Sequence, residues 1–220
     1  MRLADVATAA AAEGLTVGGG LHPGPQDGAP PGTGTIVLLC PDGRAFWNRL
    51  RAAPEWDDGR PDPVDRWSLR VIGALAARLG ARALFPFGGP PWLPFTAWAR
   101  ASEMAWEAPV GLLVHARLGL FVSYRGALAF PGRLDLPPPP ARPCDACARP
   151  CLTACPVGAL TGAGYDIAAC HAFLDTAAGA DCMERGCAVR RSCPVGAELR
   201  GEAQSAFHMA SFHPRPAPGP

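Results

Sequence analysis

The chain predicts an α+β protein with a small cysteine-rich module at its C-terminal end. Three observations lead there. Short apolar runs alternate with stretches of helical periodicity up to about residue 130, four consecutive prolines follow at Pro137–Pro140, and beyond them eight of the nine cysteines crowd between Cys144 and Cys193. Alternating strands and helices fit an α+β or an α/β layer structure, and the expected class is α+β.

The elements follow in order. Leu3–Glu13 predicts an alanine-rich helix stopped by Gly14, then a strand over Leu15–Gly18 and a glycine- and proline-heavy surface loop from Gly19 to Gly34. Ile36–Cys40 is a compact apolar run ending at Pro41, hence a buried strand, with Cys40 a core residue rather than a ligand. Asp42 can cap a helix carrying Phe46, Trp47 and Leu50. The clearest helix starts at Asp62-Pro63, where Val64, Trp67, Val71, Leu75 and Leu79 recur at three- and four-residue steps until Gly80. Ala83–Phe85 predicts a strand, Phe87–Trp92 a rigid loop, and a helix from Pro94 carries Phe95, Trp98 and Met104. Leu112–Val114, Leu120–Val122 and Ala127–Phe130 complete the strands.

The prolines at 137–140 form a stiff connector, so the expected domains are 1–140, a cysteine module over 141–206, and a C-terminal tail over 207–220 holding His208 and His213. One helix is expected in the module, Ile167–Leu174, capped by Asp166 and carrying Cys170. A module of this size buries little core, so bound metal would hold it together.

Composition narrows the function classes. With 49% apolar and 18% charged residues in 220, the chain is a folded globular protein. A net charge of +1 argues against bulk nucleic-acid binding, and no apolar run reaches membrane-spanning length. Asp5 and Glu13 interrupt the start, which lacks a leucine-rich segment of the kind found in secretory signals. The expected compartment is a reducing cytoplasm, where clustered cysteines mean metal or redox chemistry more often than disulfides. All 20 cations are arginine, a pattern that codon bias explains for most of them. Arg149, Arg185, Arg190 and Arg191 lie inside the cysteine region, where they can offset the charge of a thiolate cluster or form a face for an acidic partner.

The cysteines form two runs. The first is Cys144-x2-Cys147-x3-Cys151-x3-Cys155-Pro156, and the second is Cys170, Cys182, Cys187 and Cys193-Pro194. Thiolates are soft ligands, and four of them enclosing a [4Fe–4S] cube is the usual ligation. Two runs that each close on Cys-Pro suit the ferredoxin arrangement, in which the last cysteine of each run ligates the other run's cluster. By that rule Cys144, Cys147, Cys151 and Cys193 hold one cluster, and Cys155, Cys170, Cys182 and Cys187 hold the second. Zinc is the rival, but only Cys144/Cys147 is a C-x2-C pair. The wide spacing of the second run leaves a [3Fe–4S] form or a single cube open, and His171 is a minor substitute ligand beside Cys170. No catalytic nucleophile or acid–base pair is evident, and Gly18–His22 reads as a turn rather than a phosphate loop.

Val114-His-Ala-Arg-Leu-Gly119, then Leu-Phe-Val-Ser-Tyr-Arg125-Gly126 and Pro131-Gly132, resembles the central segment of CblC-type cobalamin-processing proteins. Asp62–Asp65 and the strand at Ile36 match that family in order and spacing, so the resemblance covers about residues 35 to 140. Ala116, Leu120 and Phe121 stand where the family has proline, glycine and tryptophan. The resemblance implies a nitroreductase-like α+β fold with a pocket for cobalamin, and it points to His115 and Arg125 as cofactor-binding candidates, with an inter-strand hydrogen bond or ion pair as their structural alternative. Joined to the cysteine runs, the layout is similar to that of epoxyqueuosine reductases and reductive dehalogenases, which combine cobalamin with two cubanes. The expectation is therefore an iron–sulfur redox protein, a reductase of cobalamin or a processing factor for it, served by a redox partner protein. The alternative is a ferredoxin-type electron carrier or partner-binding protein without a corrinoid.

Overall fold

The computed structural model describes residues 1–199 and 201–214. In chain order the regular elements begin with α1 (Leu3–Ala11), β1 (Leu15–Leu21), β2 (Thr35–Pro41), α2 (Gly43–Arg51), α3 (Pro54–Asp57), α4 (Pro63–Leu79), β3 (Arg82–Leu84) and α5 (Phe95–Ala101). They continue with β4 (Ala105–Glu107), β5 (Leu113–His115), β6 (Gly126–Phe130), β7 (Leu160–Thr161), β8 (Gly164–Tyr165), α6 (Ile167–Leu174), α7 (Ala180–Arg185), α8 (Ala188–Ser192) and α9 (Glu202–Phe212). Helices and small antiparallel sheets make this a mixed α+β structure. Among the described residues, no helix is long and apolar enough to cross a membrane.

The chain divides into two compact units. The first holds Met1–Trp106 and Ser123–Ala141; the second holds Glu107–Val122 and the chain from Arg142 onward. The sequence places a single boundary near residue 140. The structure assigns the intervening Glu107–Val122 to the cysteine unit, where Gly119 closes on Val195 and the Leu120 carbonyl accepts from Arg190.

The first unit is built on a four-stranded antiparallel sheet in the order β1-β2-β6-β3. β2 lies between two neighbours, and Thr35 through Cys40 are all buried, which is why its sequence reads as continuous apolar rather than alternating. Val37, Leu39, Leu128 and Phe130 pack with Trp67, Val71, Ile72 and Leu75 of α4 and with Phe46 and Leu50 of α2. Phe46 meets Trp67 edge-on with ring centroids 5.1 Å apart, a geometry favoured by the ring quadrupoles. α4 ends where Gly80 turns left-handed, φ 66°, and its N–H returns to the Ala76 carbonyl. Asp62 occupies the N-cap position of α4, but its side chain makes no capping bond; the proline at the first helical position sets that start instead. β1 runs on to Leu21, beyond the expected end at Gly18, because its register against β2 shifts between Val17 and Gly19 and pairing then resumes. At Gly18 a Cβ would lie 2.3 Å from Cys40 Sγ, so the strand crosses the buried cysteine only with a glycine there.

The second unit is held by short elements. β7 pairs with β8, α7 packs on α9, and α8 packs on a 3-10 turn at Pro150–Leu152. Asp166 caps α6 as the sequence predicts, accepting from the Ala169 N–H at 2.9 Å. Three expectations differ, the first in helix number: the module holds α7, α8 and the start of α9 besides the one expected helix, α6. Leu120–Val122 is no strand: His115 and Gly119 exchange both backbone bonds at 3.0 Å, and the Phe121 N–H donates to the Leu118 carbonyl, which closes the segment into turns. The chain from Phe207 is no tail either, since α9 extends to Phe212 with Met209 buried against Leu174 and Cys182. Residues 215–220 lie outside the described residues.

Candidate metal centres

Two local arrangements bring the first cysteine set together. The turn at Pro150–Leu152 places Cys151 in the interior, and α8 packed on that turn delivers Cys193 at its C-terminal end. Burial raises the Cys144 thiol above its ordinary range; Arg142 opposes this, and the nearby Cys147 and Cys193 add to it. Burial also raises Cys151, together with Cys144, Cys193 and Cys147. These mutual effects place Cys144, Cys147, Cys151 and Cys193 in one electrostatic neighbourhood. The Arg149 N–H donates to Cys147 Sγ at 3.3 Å.

Residues Glu107–Val122 form the wall behind Cys193. His115 is buried, 1% exposed, and its Nδ1 accepts from the Arg117 and Leu118 N–H groups at 3.0 and 3.2 Å. That ring tightens the turn leading to Gly119, whose φ is 58°. A Cβ at Gly119 would come 2.2 Å from the Val195 carbonyl oxygen and 3.1 Å from Cys193 Sγ. Arg190 of α8 fastens the same segment: its Nε donates to the Leu120 carbonyl at 2.8 Å and its guanidinium stands 4.6 Å over the Phe121 ring.

The second set lines a cavity of about 230 Å³ with Cys155, Cys170, Cys182 and Cys187. Leucines 112, 113, 120, 160 and 174 and the rings of Tyr165 and Phe212 make most of the remaining wall apolar. Burial raises Cys170, opposed by a hydrogen bond from Tyr165 and reinforced by Cys155 and Cys182. Burial raises Cys182 as well, opposed by the Ala188 N–H. The Ala159 N–H donates to Cys155 Sγ at 3.2 Å, and the Tyr165 hydroxyl donates to Cys170 Sγ at 3.3 Å. Burial, then the Cys170 bond and the surrounding thiols, push the Tyr165 hydroxyl well above the ordinary phenol range. A compact inorganic group fits such a donor set. Among the described residues, no three His, Cys, Asp or Glu side chains group tightly enough to hold a single metal ion.

Most of the remaining candidates have structural partners. Arg125 Nη1 pairs with Asp65 Oδ1 at 3.2 Å, and its Nε donates to the Tyr124 carbonyl. Arg185 pairs with Asp181 and Glu202, and Arg191 pairs with Asp181 while donating to the Gly186 carbonyl. Arg149 is exposed. His171 packs edge-on against Phe212, His213 pairs with Asp175 at 2.8 Å, and His208 lines the second cavity. Sequence reasoning missed Tyr165, although its position directly before the capping Asp166 and five residues before Cys170 was a usable signal.

The first unit holds a separate cavity of about 310 Å³, lined among others by His22, Asp27, Ser102, Glu103, Met104 and Leu136. His22 Nε2 donates to the Leu134 carbonyl and its Nδ1 accepts from Arg133, so both ring nitrogens are committed. That volume is at the low end of the range for drug-sized ligands, about 300 to 1,000 Å³, and a corrinoid is larger. Arg125 does not line this cavity. No protein-family model matches the chain, and none of the curated proteins compared with it matches either.

Proposed function

We propose that this chain is an iron–sulfur redox protein that binds two [4Fe–4S] clusters and passes single electrons, with a corrinoid as their acceptor. One observation carries the reading. The eight module cysteines fall into two neighbourhoods of four, and each neighbourhood takes its outlying member from the other run, Cys193 in one and Cys155 in the other. That grouping supports the crossed pairing expected of two-cluster ferredoxins. Cys144, Cys147, Cys151 and Cys193 would hold the first cluster, and Cys155, Cys170, Cys182 and Cys187 the second.

When bound, the clusters supply one-electron storage at low potential. The chain's own residues set the conditions. The Arg149 and Ala159 amides donate to thiolate sulfurs, and Leu174, Val189, Met209 and Phe212 keep water from the second set. The Arg190 clamp on Leu120 holds the wall behind Cys193. The finer fold assignment, a nitroreductase-like domain ahead of a ferredoxin-like one, belongs to the same proposal, as do a cytoplasmic location and a protein redox partner.

Support for the corrinoid comes from the resemblance of the segment around Val114–Gly126. The Arg125–Asp65 pair and the small first-unit cavity favour the second reading, an electron carrier or partner-binding protein without cobalamin. Anaerobically reconstituted protein should contain about eight irons and eight sulfides per chain. About two zinc ions without sulfide would overturn the cluster reading. Cobalamin added to the loaded protein should shift its visible spectrum and co-elute on gel filtration; free elution with an unchanged spectrum would leave the carrier reading.

A further inference from the structure

Tyr165 occupies a position defined from both sides. β7 and β8 pair Leu160 with Tyr165, the Asp166 N–H donates to the Ala159 carbonyl at 2.7 Å, and the Cys170 N–H donates to the Asp166 carbonyl at 3.1 Å. The hairpin and the first turn of α6 are thereby locked together, and the phenol spans the short gap to Cys170 Sγ. On its other side the ring lies nearly parallel to Phe212, with centroids 6.2 Å apart and planes inclined by 13°. Phe212 is in turn held edge-on by His171, whose ring stands 4.3 Å from that of His213, and His213 is tied to Asp175.

We propose that Tyr165 is a positioning residue that raises the reduction potential of the second centre by donating a hydrogen bond to the Cys170 thiolate, with Phe212 holding the ring in place. The inference rests on the cluster reading and deepens it. An entering electron places added negative charge on the cluster and its thiolate sulfurs. A donor aimed at one of those sulfurs therefore stabilises the reduced form more than the oxidised form. The Arg149 and Ala159 donors are backbone amides, which only a proline would remove, and that would also constrain the backbone. The Tyr165 hydroxyl is a side-chain donor, so a single-atom change isolates its effect.

The chain contains only two tyrosines, Tyr124 and Tyr165, which gives a two-signed test. In anaerobic redox titrations followed by EPR, Tyr165→Phe should move one of two midpoint potentials to a more negative value and leave the other in place. The expected change in that reduction equilibrium is about tenfold, which for one electron is about 59 mV. Fluorotyrosine incorporated into a Tyr124→Phe background labels Tyr165 alone, and its stronger phenolic donor should move the same potential upward. Equal potentials in wild type, Tyr165→Phe and the fluorinated protein, all with full iron and sulfide, would overturn the role of Tyr165 while leaving the cluster reading intact. Wild type that binds no iron or sulfide would overturn both. Should Tyr165→Phe fail to assemble, the fluorinated protein alone decides: an upward shift supports the proposal and no shift overturns it.

Discussion

At the scale of single residues, Asp65 and Glu55 carry opposite pH signatures. Arg70 grips Glu55 with two bonds, 2.5 and 2.9 Å, and holds its carboxyl below the ordinary 4.5. Stability from Glu55 is therefore present above its unfolded pKa and lost as pH falls through the lower folded one. Burial raises Asp65 above 3.8 despite the Arg125 partner. Its contribution is full below the unfolded pKa and is lost as pH rises through the folded one. Denaturation midpoints measured from pH 3 to pH 7 should show Glu55→Gln removing part of the acid-side loss, at a cost near neutrality of about 1 to 2 kcal/mol given the half-exposed Arg70. Asp65→Asn should instead flatten the decline that begins just above the ordinary aspartate range. The cysteines sort equally cleanly. Cys151→Ser and Cys182→Ser should each remove about half the iron, about four of eight per chain, from different centres as read by EPR. Cys40→Ser should retain all the iron while costing about 1 to 3 kcal/mol, because the hydroxyl replaces a fully buried thiol between strands.

At the scale of elements, legibility depended on how far away the decisive partner lies. α4 reads from its own sequence because Trp67, Val71, Leu75 and Gly80 repeat the pattern that its packing against the sheet uses. Leu75→Ala should accordingly cost about 2 to 5 kcal/mol in chemical denaturation. α6 is equally local, since Asp166 carries its cap within three residues. The turn at His115–Gly119 is not local: Leu120–Val122 looks like a strand until Arg190 takes the Leu120 carbonyl and Val195 closes on Gly119. α9 was missed for the same reason, because Met209 and Phe212 gain their meaning from Leu174, Cys182 and Tyr165. Gly119→Ala tests the turn. The added methyl has no room against Val195 and the φ of 58° is unfavourable to alanine, so the seat of Cys193 should be displaced. The expected result is loss of the first centre's EPR signal with the second retained.

At the scale of the whole molecule, the two units draw on different sources of stability. The first buries a sheet under three helices and aromatic side chains. The second offers a small cluster of Leu174, Cys182 and Met209 beside its cysteines, so metal ligation would be its main cohesion. An iron chelator added to the loaded protein should abolish amide-exchange protection in α6–α9 and spare β2, β6 and α4. Equal protection before and after chelation would show that the module stands without its metals. The grouping of eight cysteines in one module was legible from their density in the sequence alone. Their apolar enclosure was not, since it is assembled from residues scattered between Leu112 and Phe212.

The interleaving of the second unit, with Glu107–Val122 split from the rest by a sheet strand and the proline connector, also orders events during synthesis. A growing polypeptide releases Leu120 well before Arg190, which must clasp its carbonyl. At about 5 to 20 residues per second, the delay between Val122 and Arg190 is roughly 3 to 14 s. Throughout that interval β6 can close the first unit's sheet, while the neighbouring turn waits for a mate the ribosome has yet to deliver. Under the cluster reading, metal binding at Cys193 would be a late event, scheduled by the order in which the chain is made.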